Sequence, residues 1–162
     1  MAGTTPAVDA IDLRILEMLQ EDGRRSYTAI AGELGVSEAN VRQRTKRMIG
    51  RGVAQIVAVA DPISLGFGIM AAMNIRTRGG NRPEIADQIG AFAEVSYLAL
   101  CAGSADMLAE VVCRDQEHLL QITEAIEKIP GVEVIETFMY LRVVKQSEQW
   151  LTSGGARLLD RA

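Results

Sequence analysis

The segment Leu34-Gly35-Val36-Ser37-Glu38-Ala39-Asn40-Val41-Arg42-Gln43-Arg44-Thr45-Lys46-Arg47-Met48-Ile49-Gly50-Arg51 joins a helix end, a tight turn and a new helix. Gly35 suits the left-handed position that ends a helix, which only glycine takes cheaply. Ser37 is a good N-cap for the helix after it. Val41, Thr45 and Met48 then recur at helical spacing and form one inward stripe. Residues 39–60 carry five basic side chains (Arg42, Arg44, Lys46, Arg47, Arg51) and no acidic one. A cationic helix directly behind a three- or four-residue turn containing glycine is the plan of a helix-turn-helix.

Upstream, Asp9 caps a first helix whose apolar stripe is Ile11, Ile15, Met18 and Leu19, ending near Glu21 before Asp22-Gly23. Ser26 caps a short second helix with Ile30, Ala31 and Leu34. Gly50 and Gly52 end the third. Downstream, residues 55–60 read as a strand that Asp61-Pro62 breaks. Beyond it the expected order is strand 67–77, helix 83–92, strand 94–102, strand 107–113, helix 116–128 and strand 132–144. That β-α-β-β-α-β order is the split unit of ferredoxin-like sandwiches. Both helices of such a unit cover one sheet face, and a bare apolar face on the other side points to dimerisation. The expected class is α+β: a winged-type helix-turn-helix domain over 1–53, a strand and linker over 54–67, a ferredoxin-like effector and oligomerisation domain over 68–145, and a tail over 146–162.

The bulk numbers agree with this division. A chain of 162 residues with 48% hydrophobic and 23% charged residues has the composition of a soluble globular protein. Its formal charge is −4, unevenly spread. Residues 1–60 hold 8 basic and 7 acidic residues, leaving 9 basic and 14 acidic for residues 61–162. Only the first segment offers a polyanion a place to dock, and DNA proteins need positive charge locally rather than overall. No apolar run approaches a membrane span, and Met1 to Pro6 lacks the basic and apolar regions of a signal peptide, so a cytoplasmic protein with no membrane partner is expected. Cys101 and Cys113 are expected to be reduced, buried and unpaired, on two strands of one hairpin.

These residues carry a resemblance. The chain resembles the Lrp/AsnC family of feast/famine regulators over about residues 8–145. Asp9, Asp12, Ile15 and Leu16 match its first helix, and Gln20, Asp22, Gly23 and Arg24 the loop after it. Leu34-Gly35-Val36-Ser37, Val41, Arg44, Gly52 and Val53 match its helix-turn-helix, and Asp61-Pro62 with Leu65-Gly66 its linker. Gly103, Asp106, Pro130-Gly131-Val132 and Thr137 match its effector domain. The resemblance implies a homodimer that assembles further, often to an octamer, that binds double-stranded DNA and senses a small molecule, commonly an amino acid, in clefts between effector domains. Two departures stand out: Ala102 replaces the family's threonine and Ala105 its aromatic residue at the effector turn, so the pocket lining differs.

With Val41 facing the core and about 100° per residue, Ala39, Gln43 and Lys46 point outward, with Asn40, Arg42 and Arg47 on the flanks. Asn40 and Gln43 suit adenine, and Arg47 suits guanine in the major groove. Arg42, Arg44, Lys46 and Arg51 are expected to meet phosphates, joined by Ser26, Tyr27 and Thr28 at the start of the second helix. The opposing reading is a solvated charged face. For the effector, the turn Ala102-Gly103-Ser104-Ala105-Asp106 offers amides for a carboxylate and an acid for an ammonium, with Thr137 and Met139 placed nearby. The opposing reading is that Gly103 and Asp106 only satisfy turn geometry.

No catalytic residues, metal ligands or cofactor are expected. Gly66-Phe67-Gly68-Ile69-Met70-Ala71 fits the dinucleotide glycine pattern but lacks the strand before and helix after it. His118 is the only histidine, with no second ligand nearby to bind metal. The rival to a DNA-binding regulator is a metabolite-binding or assembly module without DNA function.

Overall fold

The computed structural model describes residues 8–79 and 81–146. The expected tail therefore lies outside the described residues, apart from Gln146. The described chain forms two compact units that divide between Ala58 and Val59, inside the segment read as linker. Among the described residues no helix is long and apolar enough to cross a membrane.

In the first unit, α1 spans Ala10–Glu21, α2 Tyr27–Leu34 and α3 Glu38–Gly50. Each begins on the residue its sequence nominates. Asp9 accepts from the Asp12 amide in a reciprocal capping box, Ser26 accepts from Ala29, and Ser37 accepts from Asn40. Gly35 stands at φ +65°, where it turns the chain from α2 into α3. Ile15, Met18, Ile30, Ala31, Val41 and Met48 close the core between the three helices. Thr45 is buried with them and returns its hydroxyl to the Val41 carbonyl at 2.9 Å, so no polar atom is stranded.

The strand expected over 55–60 is absent. These residues are irregular, with Ile56, Val57 and Val59 more than half exposed. A strand needs a neighbour to take its N–H and C=O groups, and no described segment pairs with this one. Among the described residues the helix-turn-helix therefore has no paired strand over 55–60.

In the second unit a single 3-10 turn at Ile63–Leu65 leads into β1 (Ile69–Thr77), then α4 (Arg82–Gly90), β2 (Val95–Leu100), β3 (Met107–Cys113), α5 (Gln116–Glu127) and β4 (Val132–Met139). The strands lie in the order β2-β3-β1-β4, every pair antiparallel. Ile69, Ala71, Met73 and Ile75 of β1 alternate inward and pack with Met107, Ala109 and Val111 of β3 against Ile85, Ile89, Ile122 and Ile126 of the helices. The last strand ends at Met139, five residues short of expectation, and Leu141 and Val144 beyond it are almost fully exposed.

The glycine pattern at Gly66 to Ala71 has a structural explanation. Gly66 closes the 3-10 turn at φ +93°, and a Cβ on Gly68 would stand 2.7 Å from the Arg114 carbonyl oxygen that accepts its N–H. The next element is a strand, not the helix that a dinucleotide fold requires.

The sheet face away from the helices carries Met70, Ala72, Leu108, Val112 and Phe138, by the alternation and register of β1, β3 and β4. Across it the Tyr140 hydroxyl donates to Glu110 at 2.7 Å. Burial first, then the neighbouring carboxylate, pushes that phenol up to about 12. The cysteines depart in part from expectation: both are free, but only Cys113 is buried, while Cys101 lies past the end of β2 and is exposed.

Candidate nucleic-acid interface and effector turn

The exposed face of α3 is set by its buried stripe of Val41, Thr45 and Met48. Ala39, Arg42, Gln43, Lys46 and Arg47 are exposed, Asn40 and Arg44 half-buried, and Arg51 is exposed just past the helix end. Ser26 and Thr28 are exposed at the start of α2, with Tyr27 half-buried between them. The residues nominated for DNA contact therefore share one unit and, for the most part, one open side of α3. Their electrostatics differ from a plain cationic face.

Two of the five cations turn toward α1. Arg44 reaches Asp9 and donates to Asp12 Oδ1 at 2.9 Å, while its Nε donates to Asn40 at 2.9 Å. Arg47 donates to Asp12 Oδ2 at 2.7 Å. The Asp12 side chain is only 1% exposed, and Arg44 itself is 18% exposed. Hydrogen bonding from Arg44 holds the Asp9 carboxyl below its usual value, and Asp9 and then Asp12 raise Arg44 in return. The sequence expectation put Arg44 against phosphate and Arg47 against guanine; in this fold both guanidiniums already hold a carboxylate. The acids responsible lie on and beside α1, more than thirty residues upstream. A count of acids along α3 had no access to them.

A third cation, Arg42, pairs with Glu38 one turn back and lies 5.4 Å from the centre of the Tyr27 ring. Glu38 also accepts from the Thr28 hydroxyl at 2.8 Å, and this bond, then the bond and charge of Arg42, lowers its carboxyl. This pair is exposed, and such pairs contribute little against competing phosphates. Lys46 and Arg51 have no ion-pair partner among the described residues.

In the second unit Ala102, Gly103 and Ser104 form the exposed bend between β2 and β3, with Gly103 at φ +151°. Ala105, next in the turn, is buried. Asp106 is tied to the end of β1. Its amide donates to the Ile75 carbonyl at 2.9 Å, and its Oδ2 accepts from the Thr77 amide at 2.7 Å and the Thr77 hydroxyl at 3.1 Å. Arg82, at the start of α4, donates to Oδ1 at 2.7 Å. Arg76 donates to the Ser104 carbonyl at 2.8 Å. The Thr77 amide is the chief reason the Asp106 carboxyl lies below its ordinary value, aided by the charges of Arg82 and Arg76. The sequence reading did not include Thr77, Arg76 or Arg82.

Thr137 and Met139 are not brought to this turn within one chain. β4 pairs Thr137 with Met73 and Met139 with Ala71, whereas the turn meets β1 at Ile75 to Thr77. Four residues of strand, about 13 Å, separate Met139 from that end. Antiparallel pairing on the opposite side of β1 carries β4 away from the hairpin, which sequence spacing alone did not reveal. Among the described residues no cluster of three or more His, Cys, Asp or Glu side chains is arranged to hold a metal. His118 faces Glu94 at 3.2 Å.

Comparison with known proteins fits both units. Residues 8–49 match the AsnC-type helix-turn-helix domain, and residues 70–150 match the Lrp/AsnC ligand binding domain. An uncharacterised HTH-type transcriptional regulator of Pyrococcus furiosus is 34% identical over 140 residues, 85% of this chain and 95% of the relative. The HTH-type transcriptional regulator LrpA of Pyrococcus horikoshii is 32% identical over 85% of this chain and 99% of its own. Among solved structures, a transcriptional regulator of Neisseria meningitidis in complex with L-Met shares the fold at TM-score 0.77 and 22% identity, covering 88% of this chain and 96% of that one. The chain belongs to the Lrp/AsnC family.

Proposed function

We propose that this protein is a sequence-specific DNA-binding regulator of transcription. It acts as a homodimer or larger even assembly such as an octamer, and it answers to a small metabolite, most simply an amino acid. The observation that carries the DNA reading is the open row Ala39, Gln43 and Lys46 on α3, directly behind the Gly35 turn and flanked by Arg42 and Arg51. Such a helix can present a paired amide to a base edge while its neighbours meet phosphates. Its relatives named as transcriptional regulators support the reading. The apolar residues of the open sheet face support self-association, and the L-Met complex of the Neisseria regulator supports an amino-acid effector, for which the turn of residues 102–106 is our candidate site. Thr137 and Met139 belong to that site only if a neighbouring copy supplies them.

The test is selection of a duplex from random-sequence DNA, then affinity titration over a range of salt with and without each common amino acid. A site bound far above random duplex, with an affinity that one amino acid changes, is the expected result. One observation favours the assembly-module reading: Arg42, Arg44 and Arg47 all have carboxylate partners. Absence of salt-dependent DNA binding would establish that alternative, because phosphate contacts release counterions and protein-only assembly does not.

A further inference from the structure

The geometry points to Asp12 as a positioning residue that sets DNA specificity by keeping Arg47 off the phosphate backbone. This rests on the DNA-binding reading of α3. Arg47 is 40% exposed on a flank of that helix, so its side chain has room to swing toward a polyanion. It is instead turned back onto an acid that is 1% exposed. The two oxygens of Asp12 are not equivalent. Oδ1 takes Arg44 at 2.9 Å, whereas Oδ2 has Arg47 at 2.7 Å and otherwise only the Asp9 amide at 3.3 Å. If Arg47 left for a phosphate, a buried carboxylate oxygen would keep one long hydrogen bond. Desolvated charges lose far more from such a vacancy than exposed ones, and salt screens them less. The exposed Arg42–Glu38 pair imposes no comparable hold.

Recognition is affected in two ways. Phosphate attraction is blind to sequence, so a cation withheld from the backbone lowers binding to every duplex alike and leaves base-reading contacts a larger share of the whole. The same carboxylate joins α3 to the start of α1, where Asp12 also completes the capping box with Asp9. It thereby fixes the roll of α3 that presents Gln43 and Lys46.

The experiment titrates full-length protein with a random-sequence duplex between about 50 and 200 mM salt. Each phosphate contact contributes about −0.9 to the slope of log affinity against log salt. Lys46→Gln should make the slope shallower by about 0.9 per docked helix, whereas Arg47→Gln should leave it unchanged. Asp12→Asn should steepen it by about 0.9 per docked helix, an extra loss of about 3.5-fold in affinity across that range, and adding Arg47→Gln should restore the wild-type slope. An Asp12→Asn slope equal to wild type would leave Asp12 a purely structural cap and overturn the inference. Should that variant fail to fold, the Arg47→Gln slope decides: unchanged supports the inference, and shallower by about 0.9 per docked helix overturns it. A wild-type protein that binds no duplex at any salt would instead remove the DNA-binding reading itself.

Discussion

Thr77 gives both its backbone N–H and its hydroxyl to one oxygen of Asp106, at 2.7 and 3.1 Å. The two residues are 29 apart in sequence: Thr77 ends β1, and Asp106 lies in the connection between β2 and β3. Their bonds, with Arg82 on the other oxygen, pin the effector turn to the end of β1 and the start of α4. An ammonium arriving at this turn meets an acid that already has three donors, so any ligand must share Asp106 with Arg82 or displace it.

The lowered Asp106 carboxyl gives its contribution a definite sign. A folded value below the ordinary 3.8 means the ionised form is favoured in the fold. Its stabilisation is therefore complete above the unfolded value and is lost as pH falls through the folded one. Asp106→Asn should lower the melting temperature at neutral pH, and the gap to wild type should start to narrow near about pH 4 and shrink further as pH falls. Thermal scans from neutral to acid pH check this; a gap independent of pH would assign the loss to packing.

Gln43→Ala should cost about 1–3 kcal/mol of binding to a selected site if it reads a base, and almost nothing on random duplex. Arg42→Ala should weaken both and make the salt slope shallower. Parallel titrations on the two duplexes distinguish them. Equal effects of Gln43→Ala on both would take Gln43 out of base recognition.

Gly68→Ala should destabilise the second unit by about 1–3 kcal/mol, because the new methyl meets a backbone oxygen that cannot rotate away. Gly32→Ala, on α2 with open space at the Cβ position, should be neutral or stabilising by up to about 1 kcal/mol. Chemical denaturation of the two variants gives the comparison, and equal effects would contradict the close approach at Arg114.

A fragment beginning at Val59 should still dimerise, since the apolar sheet face belongs wholly to the second unit. Placing Asp at Leu108, on that face opposite Asn74, should shift the fragment to monomer at micromolar concentration, as a second carboxylate there would lack the donor that Tyr140 gives Glu110. Light scattering reads both species. A fragment that is monomeric before substitution would move the association surface elsewhere.

Much of the architecture is written in short-range chemistry. Asp9, Ser26 and Ser37 cap the helices they precede because an N-cap is a bond across three residues, whatever the rest of the chain does. Gly35 ends α2 for the same local reason. β3 is read to the residue, Met107 to Cys113, because its alternation marks both faces of a half-buried strand. Residues 55–60 have the same β-branched character yet form no strand, because pairing is a property of two segments and no described segment pairs with them.

Charge and register depended on the tertiary structure. The cationic pattern of α3 is plain in the sequence, but packing against α1 decided that Arg44 and Arg47 face Asp12 while Lys46 stays open. The effector turn is legible from Gly103 and Asp106, yet the partners of Asp106 come from β1 and α4. β4 pairs on the side of β1 opposite the hairpin, with Thr137 beside Met73 and Met139 beside Ala71, which is why these two fall away from the turn, and no periodicity encodes that placement. Hydrogen bonds across three or four residues are determined by the residues themselves. Ion pairs across thirty residues, and strand register across sixty, exist only once the core has closed and brought distant backbone into contact.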